Sequence, residues 1–317
     1  MSVPDMSVPV VSVPVGSVPA EKGENVREKE NGVRVEYGGR LCQGIFLERP
    51  NRFVARVAVG GQEEIVHVAN PGRMTELLVP GAPIWLAEKV ESGGKDATEG
   101  KAGKAGKAAK PRKTRFQLAL VDHRGVGLIS VDSNLPNRLV YSLLRARAIP
   151  EFAEYDLIAK EVKFGQSRFD FRLDRTTGQG IPLADDPPGA NAAARFRFRM
   201  PSCFLEVKSV NLVVGREARF PDAPTLRGAR HLAELARARR EGCRAAVLFV
   251  IQRDDPVSFA PHVETDPDFG EAFRSALEAG VEAYAYTCRL DSGGISLGHP
   301  VPVKIQPGDR DFWRRAI

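Results

Sequence analysis

The hydrophobic period of the chain changes once, near Pro136, and that change calls for two different architectures. Before it, apolar side chains fall at alternate positions in Leu41–Glu48, Arg52–Val59 and Glu63–Val68, with Gly60-Gly61 between the last two runs. Alternation puts every second side chain on one face of a strand, and a glycine pair supplies a tight turn. Ile84–Val90, Phe116–Asp122 and Gly127–Val131 repeat the pattern. Short strands at hairpin spacing over residues 33–133 predict a small β-barrel.

After Pro136 the spacing becomes helical in Asn137–Ala148, where Leu139, Val140, Leu143 and Leu144 share a face ahead of Pro150. Strand-like runs follow at Leu157–Phe164, Ser167–Asp174 and Cys203–Val214. A helix is predicted from about Thr225, a capping residue type, to Glu241, closed by Gly242. Arg244–Gln252 reads as a buried strand, Phe269–Glu278 as a helix and Val281–Cys288 as a further strand. The order helix, three strands, helix, strand specifies an α/β domain over residues 134–305 with an antiparallel meander and a crossover helix.

Four stretches fit neither pattern. Ser-Val-Pro recurs at Ser2, Ser7, Ser12 and Ser17, and prolines at that frequency forbid helix, so residues 1–32 read as an extended tail. Residues 92–113 form a flexible lysine-rich insert, 176–202 an irregular Pro/Gly/Ala-rich insert and 306–317 a terminal tail. The first insert carries Lys95, Lys101, Lys104, Lys107, Lys110, Arg112 and Lys113 against Asp96 and Glu99. It therefore holds +5 of the net charge of +6, so overall basicity says little about the folded body.

Cys42, Cys203, Cys243 and Cys288 lie far apart without a CxxC pair, which excludes a zinc ribbon and a disulfide framework. Ala245–Ile251, the longest apolar run, is far too short to cross a bilayer, and the N-terminus lacks a secretory pattern. The expectation is a cytoplasmic protein with no membrane partner. The oligomeric state is left open, a homodimer included.

Polar residues interrupt two of the predicted strands. Asp170 sits between Phe169 and Phe171, while Glu206 and Lys208 are two apart and so share a face. Two carboxylates brought together repel unless a cation lies between them, and hard oxygen donors suit Mg2+ or Mn2+. A lysine on the same face can help activate water and offset charge on a phosphate. Asp170, Glu206 and Lys208 are therefore the candidate catalytic residues, with Asp170 and Glu206 as the metal ligands. The arrangement resembles the PD-(D/E)XK nuclease superfamily.

A wider resemblance runs through "RPNRFVARV" (49–57), "HVANPGRMTELLVPG" (67–81), "NLPNRLVYSLL" (134–144), "SRFDFRL" (167–173), "FLEVKSVNL" (204–212), "FPDAPTLRGARHLAEL" (220–235) and "LFVIQR" (248–253). These strings resemble the sugar fermentation stimulation protein family (SfsA). The resemblance implies an N-terminal OB-fold barrel followed by a PD-(D/E)XK nuclease-like α/β domain. It also implies a DNA-binding protein linked to the regulation of sugar, particularly maltose, metabolism. On that basis the chain is expected to be a metal-dependent nuclease hydrolysing phosphodiester bonds, or alternatively a non-catalytic DNA-binding regulator. Glu161 becomes a candidate further acid, and Asp222, beside the strand ends, another.

Nucleic acid, DNA first, is the expected partner. The predicted second helix carries Arg227, Arg230 and Arg237, and a stripe of arginines beside an acidic site can hold phosphates. His231, one turn from Arg227, could approach the same phosphate. Arg168 is predicted to share a sheet face with Asp170, and Asn70 and Arg73 lie in a barrel loop that could meet a strand.

Overall fold

The computed structural model describes residues 32–88, 114–176 and 201–304. The Ser-Val-Pro tail, the lysine-rich insert, residues 177–200 and the terminal tail lie outside the described residues.

The first strand, β1 (Arg34–Val35), precedes the barrel but does not belong to it. The barrel is β2 (Leu41–Asn51), β3 (Val54–Val59), β4 (Gln62–Val68), β5 (Pro83–Glu88) and β6 (Phe116–His123). Neighbours run β4-β3-β2-β5-β6, and a parallel pairing of β4 with β6, His67 opposite Gln117, closes the ring. The closing pairs are His67 with Gln117 and Val68 with Leu118, so the ring is shut at that end of β4. The alternation anticipated in the sequence points Phe46, Val57, Val66, Leu86 and Leu118 inward. Gly60 and Gly61 take φ of 58° and 83° at the β3–β4 turn, a conformation that favours glycine. A short β7 (Gly127–Ser130) hairpins back onto β6.

Helix α1 (Leu135–Arg145) opens the second domain, with Pro136 inside its first turn, where no backbone donor is needed. The sheet takes in β8 (Leu157–Phe164), β9 (Ser167–Asp174) and β10 (Cys203–Val210) as an antiparallel meander. A small second sheet begins with β11 (Val213–Val214) and β12 (Glu217–Phe220). Helix α2 (Leu226–Arg240) then crosses over to β13 (Arg244–Ile251), parallel to β10. Next come β14 (Ser258–Pro261), which joins the small sheet, and α3 (Pro267–Glu278). A hairpin of β15 (Glu282–Asp291) and β16 (Gly294–Pro300) ends the described fold. The large sheet is ordered β1-β16-β15-β13-β10-β9-β8.

Strand β13 is central, and Ala245 to Ile251 are all buried, which accounts for its unbroken apolar run. On one face α1 covers Leu205, Val207, Leu248 and Val250; on the other α2 and α3 cover Phe204, Val247, Phe249 and Ile251. This layering is the α/β domain read from the sequence, with two differences. Residues 34–35 fall within the span expected for the barrel, 33–133, yet they pair with Ser296 and Ile295 at the edge of the large sheet. The hairpin strand β16, broken by Gly294 and Gly298, and the two- to four-residue strands of the small sheet show no period in the sequence.

Polar contacts join the barrel to the second domain. Ser130 donates its backbone N–H to the Gln252 carbonyl at 3.1 Å, and Asn211 donates to the Ser130 carbonyl. The Arg49 guanidinium gathers the carbonyls of Arg52, Asn70, Gly72 and Arg73 at 2.6–2.7 Å, which fixes the loop that faces Asn211 and Asp222.

Candidate functional site

Asp170, Glu206 and Lys208 come together where the sheet is irregular. The β9–β10 ladder runs from Cys203 opposite Leu173 to Leu205 opposite Phe171 and goes no further. At that point β9 turns over. Phe171 stacks on Tyr141 of α1, with ring centroids 6.3 Å apart, whereas Phe169, two residues earlier, lies against His231 of α2 on the opposite face. In a regular strand both would share a face. Asp170 occupies the turnover, and its Oδ2 accepts the Val207 N–H at 2.8 Å, the donor freed where the ladder ends. Its Oδ1 accepts from Asn137 Nδ2 at 2.6 Å, one turn of α1 from Tyr141.

Burial and the nearby Glu206 carboxylate push the Asp170 carboxyl up to about 6, against the pull of the Val207 N–H and Lys208. Glu206 is only 4% exposed. Burial opposes its charge, but the Lys208 ammonium and the His231 hydrogen bond outweigh that and hold it below the usual carboxylate range. Lys208 Nζ donates to Glu206 Oε1 at 2.7 Å, and His231 Nδ1 contacts the same oxygen. Glu206 Oε2 is buried with no hydrogen-bond partner.

The other expected site residues separate into two groups. Arg168, Arg73, Arg227 and Arg230 are exposed. Arg168 stands opposite Lys163 on β8. Arg237 is half exposed, bonds to Glu241 at 2.8 Å and lies over the Phe164 ring. Arg244, at the start of β13, is clamped by Glu282.

Three residues are tied down by other contacts. His231 is 2% exposed and turned onto Glu206, so its ring is not presented to a phosphate. Asn70 is buried: its Oδ1 accepts the Gly72 N–H and its Nδ2 donates to Asn211. Asp222 turns to the barrel loop, accepting the Met74 N–H at 3.1 Å. Glu161 is exposed and falls opposite Asp170 in the β8–β9 register, at the one step of that ladder left unpaired, with φ of 56°. Asn137 was missed by sequence reasoning; the only signal was an amide one turn before Tyr141 on an otherwise apolar face.

Among the described residues no group of three or more His, Cys, Asp and Glu side chains is gathered as a metal cage. What the site offers is two carboxylates, one with a vacant buried oxygen, and a lysine. No helix among the described residues is long and apolar enough to cross a membrane.

Residues 47–131 match the family model described as "SfsA N-terminal OB domain", and residues 134–294 the one described as "Sugar fermentation stimulation protein RE domain". The sugar fermentation stimulation protein homolog of Moorella thermoacetica is 42% identical over 86% of this chain and 100% of that protein. The homolog of Chloroflexus aurantiacus is 41% identical over 86% of this chain and 88% of its own. The solved structure of Pyrococcus furiosus SfsA in complex with Ca2+ aligns with a TM-score of 0.66 at 28% identity, over 86% of this chain and 98% of that one. The motifs, the barrel and the sheet topology agree with these matches, and the chain belongs to the sugar fermentation stimulation protein family.

Proposed function

We propose that the chain hydrolyses phosphodiester bonds in DNA, using Mg2+ or Mn2+ held by Asp170 and Glu206. The observation that carries this reading is the Glu206 carboxylate, whose Oε1 meets two donors while buried Oε2 meets none. A buried carboxylate oxygen without a partner is costly. A divalent cation would satisfy it and cancel the repulsion that raises the Asp170 carboxyl. The donors are hard oxygens, which suit Mg2+ or Mn2+ over softer metals. The Pyrococcus furiosus relative, solved in complex with Ca2+, supports a hard-cation site.

A bound cation supplies Lewis acidity towards a phosphate oxygen. The chain's own residues do the rest. Asn137 and the Val207 N–H fix the Asp170 carboxylate. The Lys208 ammonium can offset negative charge developing on the phosphate. Exposed Arg168, Arg227 and Arg230 hold the flanking backbone, so binding weakens as salt rises.

The test is incubation of single- and double-stranded DNA with the protein, with Mg2+, with Mn2+ and with chelator. Cleavage that needs the metal and disappears in Asp170→Ala and Glu206→Ala supports the reading; no cleavage by the wild type, or equal cleavage by the variants, overturns it. A second reading, a non-catalytic DNA-binding regulator of sugar and maltose metabolism, is favoured by one observation: Lys208 is already neutralised by Glu206. That reading predicts salt-sensitive binding that persists in chelator without cleavage.

A further inference from the structure

Glu206 Oε1 is held on its far side by a relay that begins at the surface. Exposed Arg227 lies one turn before His231 on α2, and its Nε–H donates to His231 Nε2 at 3.3 Å. His231 Nδ1 contacts Glu206 Oε1, and the ring is 2% exposed. An arginine has donors only, so Nε2 must be the bare, accepting nitrogen; a carboxylate has acceptors only, so Nδ1 must carry the hydrogen. Both contacts are satisfied together only by the neutral Nδ1–H form of the ring. An imidazolium would set a hydrogen on Nε2 against the Arg227 N–H.

We propose that His231 is a positioning residue for Glu206, its Nδ1–H set on Oε1 and its bare Nε2 anchored by Arg227, so that Oε1 stays turned to its donors and Oε2 stays free for a divalent cation. The inference rests on the cation reading above. It reassigns both residues: Arg227 keeps its outer guanidinium nitrogens for the phosphate backbone while its Nε orients the histidine. Groups that orient a ligand from behind commonly change metal affinity by roughly tenfold to a hundredfold when removed.

Two readouts test this on the full chain. In the ion-free 15N-labelled protein, long-range 1H–15N correlation spectra of the imidazoles should show His231 protonated at Nδ1 and bare at Nε2, and Arg227→Ala should shift the Nε2 resonance while Nδ1 stays protonated on Glu206. Mn2+ binding by calorimetry should weaken roughly tenfold to a hundredfold in His231→Ala. His231→Asn, whose amide NH2 can take the place of Nδ1–H, should recover most of the affinity, and His231→Gln should not; melting curves confirm that each variant is folded. An Nε2–H tautomer in the wild type, or equal Mn2+ affinity in wild type and His231→Ala, overturns the inference while leaving the cation reading standing. No Mn2+ uptake by the wild type overturns the cation reading and this one with it.

Discussion

Protons act in opposite senses on the two carboxylates of the site. The Asp170 carboxyl is raised to about 6, from an ordinary 3.8, first by burial and then by Glu206. A carboxyl that binds its proton more tightly folded than unfolded favours the folded state at low pH and loses that advantage as pH rises through about 6. Glu206 is held low by Lys208 and His231 despite burial, so its contribution is present at neutral pH and lost on acidification. Asp170→Asn keeps the acceptor for Asn137 but cannot ionise. The ion-free wild type should therefore lose up to about 3 kcal/mol relative to Asp170→Asn between pH 4 and pH 7, read as the difference in urea unfolding free energy. Excess Mn2+ should narrow that gap in the wild type alone. A gap that does not change with pH would mean that Asp170 ionises freely.

The elements that carry the site are pinned at their starts. Thr225 caps α2 by accepting the Gly228 N–H at 3.0 Å, as its position before the apolar run foretold. Buried Asp266 serves two helices: its Oδ1 accepts the Phe269 N–H at the start of α3, and its Oδ2 accepts the Thr225 N–H at the start of α2. Thr225→Ala should cost about 1 kcal/mol in chemical denaturation. Asp266→Ala should cost about 2–4 kcal/mol, since it empties a buried position and orphans two donors at once. Equal costs would show that the bond to Thr225 contributes nothing.

Period and spacing were enough to find β10, where Glu206 and Lys208 two apart must share a face, and β13, where an unbroken apolar run means burial on both sides. They could not find Asn137, because its partner is 33 positions away on another element. Nor could they tell a phosphate-facing His231 from a buried one, since helical spacing fixes neighbours along α2 and not what α2 lies against. The turnover of β9 at Asp170 was illegible for the same reason: alternation is a rule for regular strands, and the site sits where the strand stops being regular.

Across the whole molecule, barrel and sheet are joined by polar contacts around the Asn70–Met74 loop. A Cβ built at Gly72 would stand 2.6 Å from Asp222 Oδ2, so only a glycine leaves room for the carboxylate that holds the Met74 N–H. Gly72→Ala should destabilise the protein by about 1–3 kcal/mol. The same change in an Asp222→Ala background should cost clearly less, because the clash is then gone. Strict additivity in that double-mutant cycle would refute the contact as the cause.

The two residues of β1 settle a question of chain topology. Because Arg34 and Val35 pair with the last strand of the large sheet before the chain enters the barrel, the barrel is an insertion into the second domain and not a module strung ahead of it. A fragment starting at residue 134, where the second family match begins, would uncover the edge of β16 at Ile295 and Ser296, the sort of template on which strands of other molecules assemble. Such a fragment should elute as larger species in size-exclusion chromatography, whereas one that keeps residues 32–37 joined through a short linker in place of the barrel should remain discrete. The place to divide this protein is set by where its large sheet begins, at β1, one domain earlier than the change of hydrophobic period implies.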